Sequence, residues 1–289
     1  MSKVLVTGGA GFIGSNLVDR LIDDGYEVDI VDNLSTGKVE NLNPEAVFYQ
    51  DDINKESFWY KIRDNNYAYV FHLAALARIQ PSIKDPIPAH ETNVNGTLKV
   101  LEFCRATGAK LIFSGSSSVF TGEQLPTPED APKYAKNPYS LNKLINEQYI
   151  QLYRDLYDLK AVILRYFNVY GERQLTEGAY VTVIGLFKAL KAEGKPLTIT
   201  GDGEQRRDFT YVGDVVRANM MAMDWDGDYN IGGMHNHSIN EVAEMFDVEK
   251  VYIPARAGEV RETLADNSRA KFEGWHADMK LENWIHENS

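Results

Sequence analysis

Only one cysteine, Cys104, stands in 289 residues. No intramolecular disulfide can form, and a chain so poor in thiols suits a reducing compartment. No run of about 18 apolar residues occurs, which leaves no candidate for a membrane-spanning helix. Positive charge is also short. Thirty Lys and Arg against forty-two Asp and Glu give a formal net charge of −12, and an acidic surplus argues against general binding to phosphate backbones, which needs a basic face. Repeats of about 20–50 residues and low-complexity linkers are missing, so solenoids and arrays drop out. Met1-Ser2-Lys3 runs directly into Val4-Leu5-Val6 and then glycines, without the regions of a secretory signal. The expectation is a cytoplasmic protein with neither nucleic acid nor membrane as partner.

What is present is ordinary globular usage, with 44% hydrophobic and 25% charged residues. The length fits two domains of about 150 residues or one large α/β unit. Val4–Val6, Val28–Val31, Ala46–Tyr49, Tyr69–Leu73 and Lys110–Phe113 read as short buried strands separated by helical patterns. Such alternation predicts a doubly wound α/β fold, a parallel sheet with helices on both faces. Proline after Asn137 suits the start of a helix over 137–157, with Leu141, Leu144, Ile145, Tyr149, Leu152 and Leu156 on one apolar face. A strand follows at Ala161–Tyr166, and Val181–Ala192 reads as a helix. The expected division is a Rossmann domain over 1–167, to which about 209–231 can return, and a smaller α/β substrate-binding region over 168–289.

Gly8-x-x-Gly11-x-x-Gly14 follows the first strand directly and opens a helix. Glycines at this spacing allow a tight turn, backbone approach to a pyrophosphate and close helix–strand packing, and the helix N-terminus faces the anion. Alone, the loop is a weak signal, with an ordinary strand-to-helix turn as the alternative. Asp32 strengthens it, because it ends the second strand about 20 residues on, where an acid accepts hydrogen bonds from an adenosine ribose diol and repels a 2′-phosphate. NAD is therefore expected over NADP, although Lys38 lies nearby. Asn33, Ser35, Thr36 and Gly37 can add ribose and phosphate contacts, and Asp52-Ile53 can border the adenine, whereas Asp51 reads as a solvated turn.

Tyr139 and Lys143 stand four residues apart on the 137–157 helix and so share a face. A nearby ammonium and an oxidised nicotinamide both favour the phenolate, which would make Tyr139 a usable base near neutral pH. Many helices carry such a pair by chance. The hydroxyl cluster Ser114-Gly115-Ser116-Ser117-Ser118 changes the balance, since it follows the fifth strand at the edge where doubly wound sheets bind ligands.

These features resemble the extended short-chain dehydrogenase/reductase family, in particular its NAD-dependent nucleotide-sugar epimerase/dehydratase group and its UDP-hexose and UDP-N-acetylhexosamine 4-epimerases. The resemblance runs through His72-Leu73-Ala74-Ala75, Arg165 to Gly171, Gly201-Asp202-Gly203 through Arg207-Asp208-Phe209, and Gly258-Glu259-Val260-Arg261. It implies Ser116 as the hydroxyl on the reacting sugar oxygen, Tyr139 as base and Lys143 on the nicotinamide ribose. It also implies NAD contacts from Phe12, Ile13, Leu73, Ala74, Ala75, Asn93 and Tyr166. Substrate contacts are implied for Ser117, Ser118 and Asn168, with Arg207 and Arg261 on the diphosphate. Guanidinium forks suit phosphate oxygens, although a surface ion pair is the alternative for either arginine.

Related sugar 4,6-dehydratases carry an Asp-Glu pair after the catalytic hydroxyl, and UDP-glucuronate decarboxylases keep a Glu. Ser117 and Ser118 stand at those positions here, so elimination chemistry lacks its acid. The enzymes that make GDP-fucose use a nearby cysteine and histidine, whereas Cys104 precedes the strand. The resemblance thus implies C4 epimerisation through a transient 4-keto sugar with NAD regenerated each turnover, in a homodimer built on helices around 90–106 and 138–157. Alternatives are a nucleotide-sugar reductase or dehydrogenase, a UDP-glucuronate-type epimerase, and a non-catalytic NAD-binding protein. Phe120-Thr121-Gly122 in place of Tyr-Gly, Glu172 in place of a proline and a short C-terminal region bear on which sugar is used.

Other signals read as structural. His235-x-His237 lacks a third ligand and predicts polar loop residues and no metal. Met220, Met221 and Met223 fill a core. Lys188, Lys191 and Lys195 form a solvated face.

Overall fold

The computed structural model describes residues 2–255, 258 and 260–289. The six predicted β-branched runs form β1 (Lys3–Thr7), β2 (Glu27–Asp32), β3 (Val47–Gln50), β4 (Tyr69–His72), β5 (Lys110–Ser116) and β6 (Ala161–Tyr166). A seventh strand, Gly227–Ile231, pairs with β6, so the chain does return to this sheet after residue 209. The order is Gly227–Ile231, β6, β5, β4, β1, β2, β3, and every neighbouring pair is parallel. This is the doubly wound Rossmann-type α/β fold. Strand order reverses between β1 and β4, which opens a crevice at their carboxyl ends where such sheets take ligands.

Because both faces are covered, the central strands are continuously apolar instead of alternating. One core packs Leu17, Val18 and Leu21 against Val215, Trp225 and Trp275, with Met220, Met221 and Met223 at its margin. The opposite core gathers Phe58, Trp59, Leu101, Phe103, Cys104 and Ile150. Cys104 is fully buried, and burial pushes its thiol well above the usual range. A third core, with Tyr170, Phe187, Ile199, Phe246 and Trp284, belongs to the later part of the chain. There Leu197–Thr200 pairs with Lys250–Ile253, and Arg206–Asp208 pairs with Asn236–Ser238. His237 therefore lies on a short strand, where a loop was expected, because its backbone pairs with Arg207. Lys188, expected in solvent, lies 5.3 Å from the centroid of the Trp284 ring. No helix among the described residues is long and apolar enough to cross a membrane.

The helix Pro138–Tyr157 begins where the proline placed it, and Asn137 and Ser140 close a reciprocal capping box. Such a cap contributes about 1 kcal/mol. Its orientation corrects the sequence reading. The buried side carries Ser140, Asn142, Lys143, Asn146 and Glu147 with Ile150 and Tyr153, while Leu141, Leu152 and Leu156 are 47%, 47% and 62% exposed. Apolar spacing located the helix but not its inward face, because polar groups hydrogen-bonded to β5, β6 and the 90–97 segment claim the interior.

Candidate active site

Gly8 has φ +73°, and a Cβ there would stand 2.7 Å from the Ala74 amide nitrogen. At Gly14 a Cβ would meet the Gly8 carbonyl oxygen at 2.2 Å. These two glycines hold the loop tight, and Gly11 caps the helix Phe12–Asp23 with no side chain over its free amides. A pyrophosphate fits this cradle. Asp32 ends β2 as predicted, with Oδ2 accepting from the Ala10 amide at 3.1 Å and Oδ1 from Leu34 at 2.8 Å. Burial raises its pKa while these two amides lower it. Each oxygen keeps a second lone pair toward a ribose diol.

Asn33, Ser35, Thr36 and Gly37 follow in a loop fastened by the Ser35 amide on Asn33 Oδ1 at 3.0 Å. Asn33 Nδ2 reaches Asp52 Oδ2 at 3.2 Å, so these two parts of the expected adenosine end are joined. Ile53 is buried, whereas Phe12 and Ile13 are half-buried at the start of the first helix. Leu73, Ala74 and Ala75 run along the glycine loop, with the Ala74 amide on Thr7 Oγ1 at 3.2 Å. The donor set therefore fits a dinucleotide.

Two residues that the resemblance places on the cofactor are already engaged. Asn93 is buried, taking the Leu76 amide at 2.8 Å and donating to the Leu76 carbonyl at 3.1 Å. It fixes the segment after β4. Tyr166 donates its hydroxyl to Asn219 Oδ1 at 2.9 Å.

Three catalytic candidates meet at the carboxyl end of β5. Ser116 Oγ lies 2.9 Å from Ser118 Oγ and accepts the Ser118 amide at 3.2 Å. Burial pushes the Tyr139 phenol above its usual range, while Ser116 and the Arg78 charge pull it back. Lys143 lies one turn along, with Nζ donating to the Ser114 carbonyl at 2.6 Å. Burial brings its ammonium down from 10.5 to about 8, and Glu147 opposes the shift. Beneath it His72 bridges Thr7 Oγ1 and Thr97 Oγ1 at 2.7 and 2.9 Å. Burial there, with the Lys143 charge, lowers the imidazole to about 3.

On the substrate side Ser117 and Ser118 form one turn after Ser116. Asn168 Nδ2 donates to the Asp208 carbonyl at 3.0 Å. Arg207 and Arg261 come together, since Arg207 Nη1 reaches the Arg261 carbonyl at 3.3 Å. The Arg261 guanidinium is exposed and pairs with both Asp202 oxygens, at 2.8 and 3.0 Å. Glu259, between them in the sequence motif, lies outside the described residues.

Sequence reasoning missed two features. Arg165 is fully buried and pairs with both Glu147 oxygens at 2.8 and 3.0 Å and with Asp228 at 2.7 Å, which anchors the helix that carries Tyr139. Arg78, in the apolar stretch Leu76-Ala77-Arg78-Ile79, reaches across to the Tyr180 carbonyl with Nε at 2.6 Å. A lone charge in such a stretch was the available signal.

Among curated relatives, the chain is 39% identical to a putative UDP-glucose 4-epimerase of Methanocaldococcus jannaschii, covering 99% of each. A UDP-glucose 4-epimerase structure from Thermotoga maritima, solved with UDP-glucose, superposes with TM-score 0.96 at 41% identity over 99% of this chain and 97% of that one. A UDP-glucose 4-epimerase from Thermus thermophilus, solved with NAD, gives TM-score 0.93 at 35% identity over 99% and 97%. The family model described as NAD dependent epimerase/dehydratase matches residues 4–232. With the glycine cradle, Asp32 and the Ser116–Tyr139–Lys143 cluster in place, this chain belongs to the NAD dependent epimerase/dehydratase family.

Proposed function

We infer that the protein is an NAD-dependent UDP-sugar 4-epimerase, an isomerase acting on a UDP-hexose or UDP-N-acetylhexosamine through a transient 4-keto sugar. The observation that carries this reading is Tyr139 one turn before Lys143, whose Nζ is fastened to the Ser114 carbonyl at the end of β5 just before Ser116, with hydroxyls at 117 and 118 where an eliminating enzyme needs an acid. NAD, held by the glycine cradle, Asp32 and Lys143, supplies a reversible hydride acceptor at the sugar carbon. Tyr139 takes the 4-hydroxyl proton and gives it back to the 4-keto oxygen after the sugar has presented its other face. Ser116 hydrogen-bonds that oxygen throughout. Lys143 favours the phenolate. Arg207 and Arg261 hold the diphosphate while the sugar turns, Arg261 leaving Asp202 to do so, and Asn168, Ser117 and Ser118 line the sugar side. The region 168–289 thus serves as the substrate-binding part.

The assembly we propose is a homodimer in a cytoplasmic setting. Ile83, Ile87, Leu141, Leu152, Leu156 and Tyr157 are exposed apolar groups on neighbouring helices, and a second copy would cover them. A single buried thiol suits a reducing compartment.

The test incubates the protein with UDP-glucose and UDP-N-acetylglucosamine, without added cofactor, and follows the sugar protons by NMR. Appearance of a C4 epimer supports the reading. Turnover only with stoichiometric loss of added cofactor would support a reductase or dehydrogenase instead.

A further inference from the structure

Ser116 ends β5 at the sheet edge that takes ligands, and its side chain caps the short turn Ser117–Val119. Its Oγ accepts the Ser118 amide at 3.2 Å, and the Ser118 hydroxyl lies 2.9 Å from the same atom. One residue therefore meets Ser116 twice, through its backbone and through its side chain. The turn is held in turn by its neighbours. The Phe120 amide closes it on the Ser117 carbonyl at 3.1 Å, and the Tyr134 amide donates to the Val119 carbonyl at 3.0 Å. Val119 and Phe120 are buried in a small core against which Leu144, next to Lys143, packs. Ser118 is thus carried on a fastened piece of chain.

A serine hydroxyl carries one hydrogen and two acceptor positions. The Ser118 amide fills one acceptor position of Ser116, and the contact between the two hydroxyls can then be made in two ways. If Ser116 gave its hydrogen to Ser118, none would be left for a sugar oxygen, and a 4-keto oxygen can only accept. If Ser118 gives its hydrogen, both acceptor positions of Ser116 are filled and the Ser116 hydrogen is turned out to the cleft. The second arrangement also satisfies Ser118, whose hydroxyl has no other hydrogen-bond partner among the described residues. A carboxylate at position 118 would do the opposite. An ionised acid only accepts, so it would draw the Ser116 hydrogen to itself.

We propose that Ser118 is a positioning residue, which fills the acceptor side of Ser116 and so holds it as a standing hydrogen-bond donor toward the sugar C4 oxygen. Ser118 acts on the sugar through Ser116 and makes no contact of its own with that oxygen. A donor aimed in advance needs no reorientation when charge develops on the oxygen, which is where preorganised hydrogen bonds lower a barrier. The inference rests on the epimerase reading for the oxygen that receives the hydrogen, but its first test needs no turnover.

Neutron diffraction from crystals of the NAD-loaded protein in deuterium oxide locates the deuterium on each hydroxyl. The Ser118 deuterium should lie on the line to Ser116 Oγ, with the Ser116 deuterium directed away from Ser118. A Ser116 deuterium aimed at Ser118 overturns the proposal. The second test is a double-mutant cycle on epimerisation. Ser118→Ala should lower kcat about tenfold, the loss of roughly one hydrogen bond, with KM for the UDP-sugar nearly unchanged. Ser118→Thr keeps the hydroxyl and should recover most of that kcat. In the Ser116→Ala background, Ser118→Ala should cost less than about twofold, because the atom it positions is gone. An equal loss in both backgrounds, or a rise in KM alone, would mean that Ser118 meets the sugar itself and would overturn the proposal, as would an unchanged kcat in Ser118→Ala. If the deuterium lies as expected but no UDP-sugar is epimerised, the substrate reading fails and the orientation of Ser116 by Ser118 survives.

Discussion

Lys143 Nζ and the Ser114 carbonyl oxygen stand 2.6 Å apart, so the long helix is fastened to the end of β5 by the side chain that we propose supports the Tyr139 phenolate. The buried ammonium gives up its proton near pH 8. As pH rises through that value the cation is lost, and with it support for the phenolate, so turnover should fall on the alkaline side around pH 8. Lys143→Arg, which cannot deprotonate, should be slower yet lack this alkaline fall. A pH–rate profile of both proteins checks it, and an identical alkaline limb in the variant would contradict the assignment.

Tyr139→Phe removes the proton acceptor and leaves the ring. Turnover should drop about 10²-fold or more, with the melting temperature close to wild type because the ring and its packing are kept. Activity within about tenfold of wild type would place the base elsewhere.

These two residues were legible in the sequence because spacing on a helix and position after a strand are local properties. The glycine loop, Asp32 and the strand sequence were readable for the same reason. The inward face of Pro138–Tyr157 was not, since Asn146 finds its partners at Asn93 and Thr97 and Glu147 finds Arg165, all far along the chain. Apolar periodicity cannot see a buried face that is satisfied by distant polar groups. The Arg261–Asp202 pair and the Arg78–Tyr180 contact were hidden likewise, being products of the fold.

Asp32→Ala should relax the choice of cofactor, as the carboxylate that repels a 2′-phosphate is lost. Titration with NAD and NADP by intrinsic fluorescence should give weaker NAD binding and a gain in NADP binding. A variant that keeps full discrimination would assign it to other residues.

Arg261→Ala acts on binding and not on the proton transfer. With the diphosphate contact gone, KM for the UDP-sugar should rise about tenfold or more while kcat changes little. An unchanged KM would mean that Arg261 serves only its surface pair with Asp202.

His72 gives a stability test. Its imidazole, ordinarily at 6.5, is lowered to about 3 by burial and the Lys143 charge. Between these values the unfolded chain binds a proton that the native protein does not, so stability is intact above about pH 6.5 and is lost as pH falls toward 3. Denaturant unfolding at a series of pH values should show this slope, at most about 1.4 kcal/mol per pH unit from one group. His72→Gln should flatten it.

The central claim is that C4 is inverted by removal and return of its own hydrogen within one site. UDP-glucose carrying deuterium at C4, incubated with the protein in ordinary water without added cofactor, measures this directly. The account requires UDP-galactose with deuterium still at C4. Product with hydrogen at C4, or label found in free reduced cofactor, would contradict it.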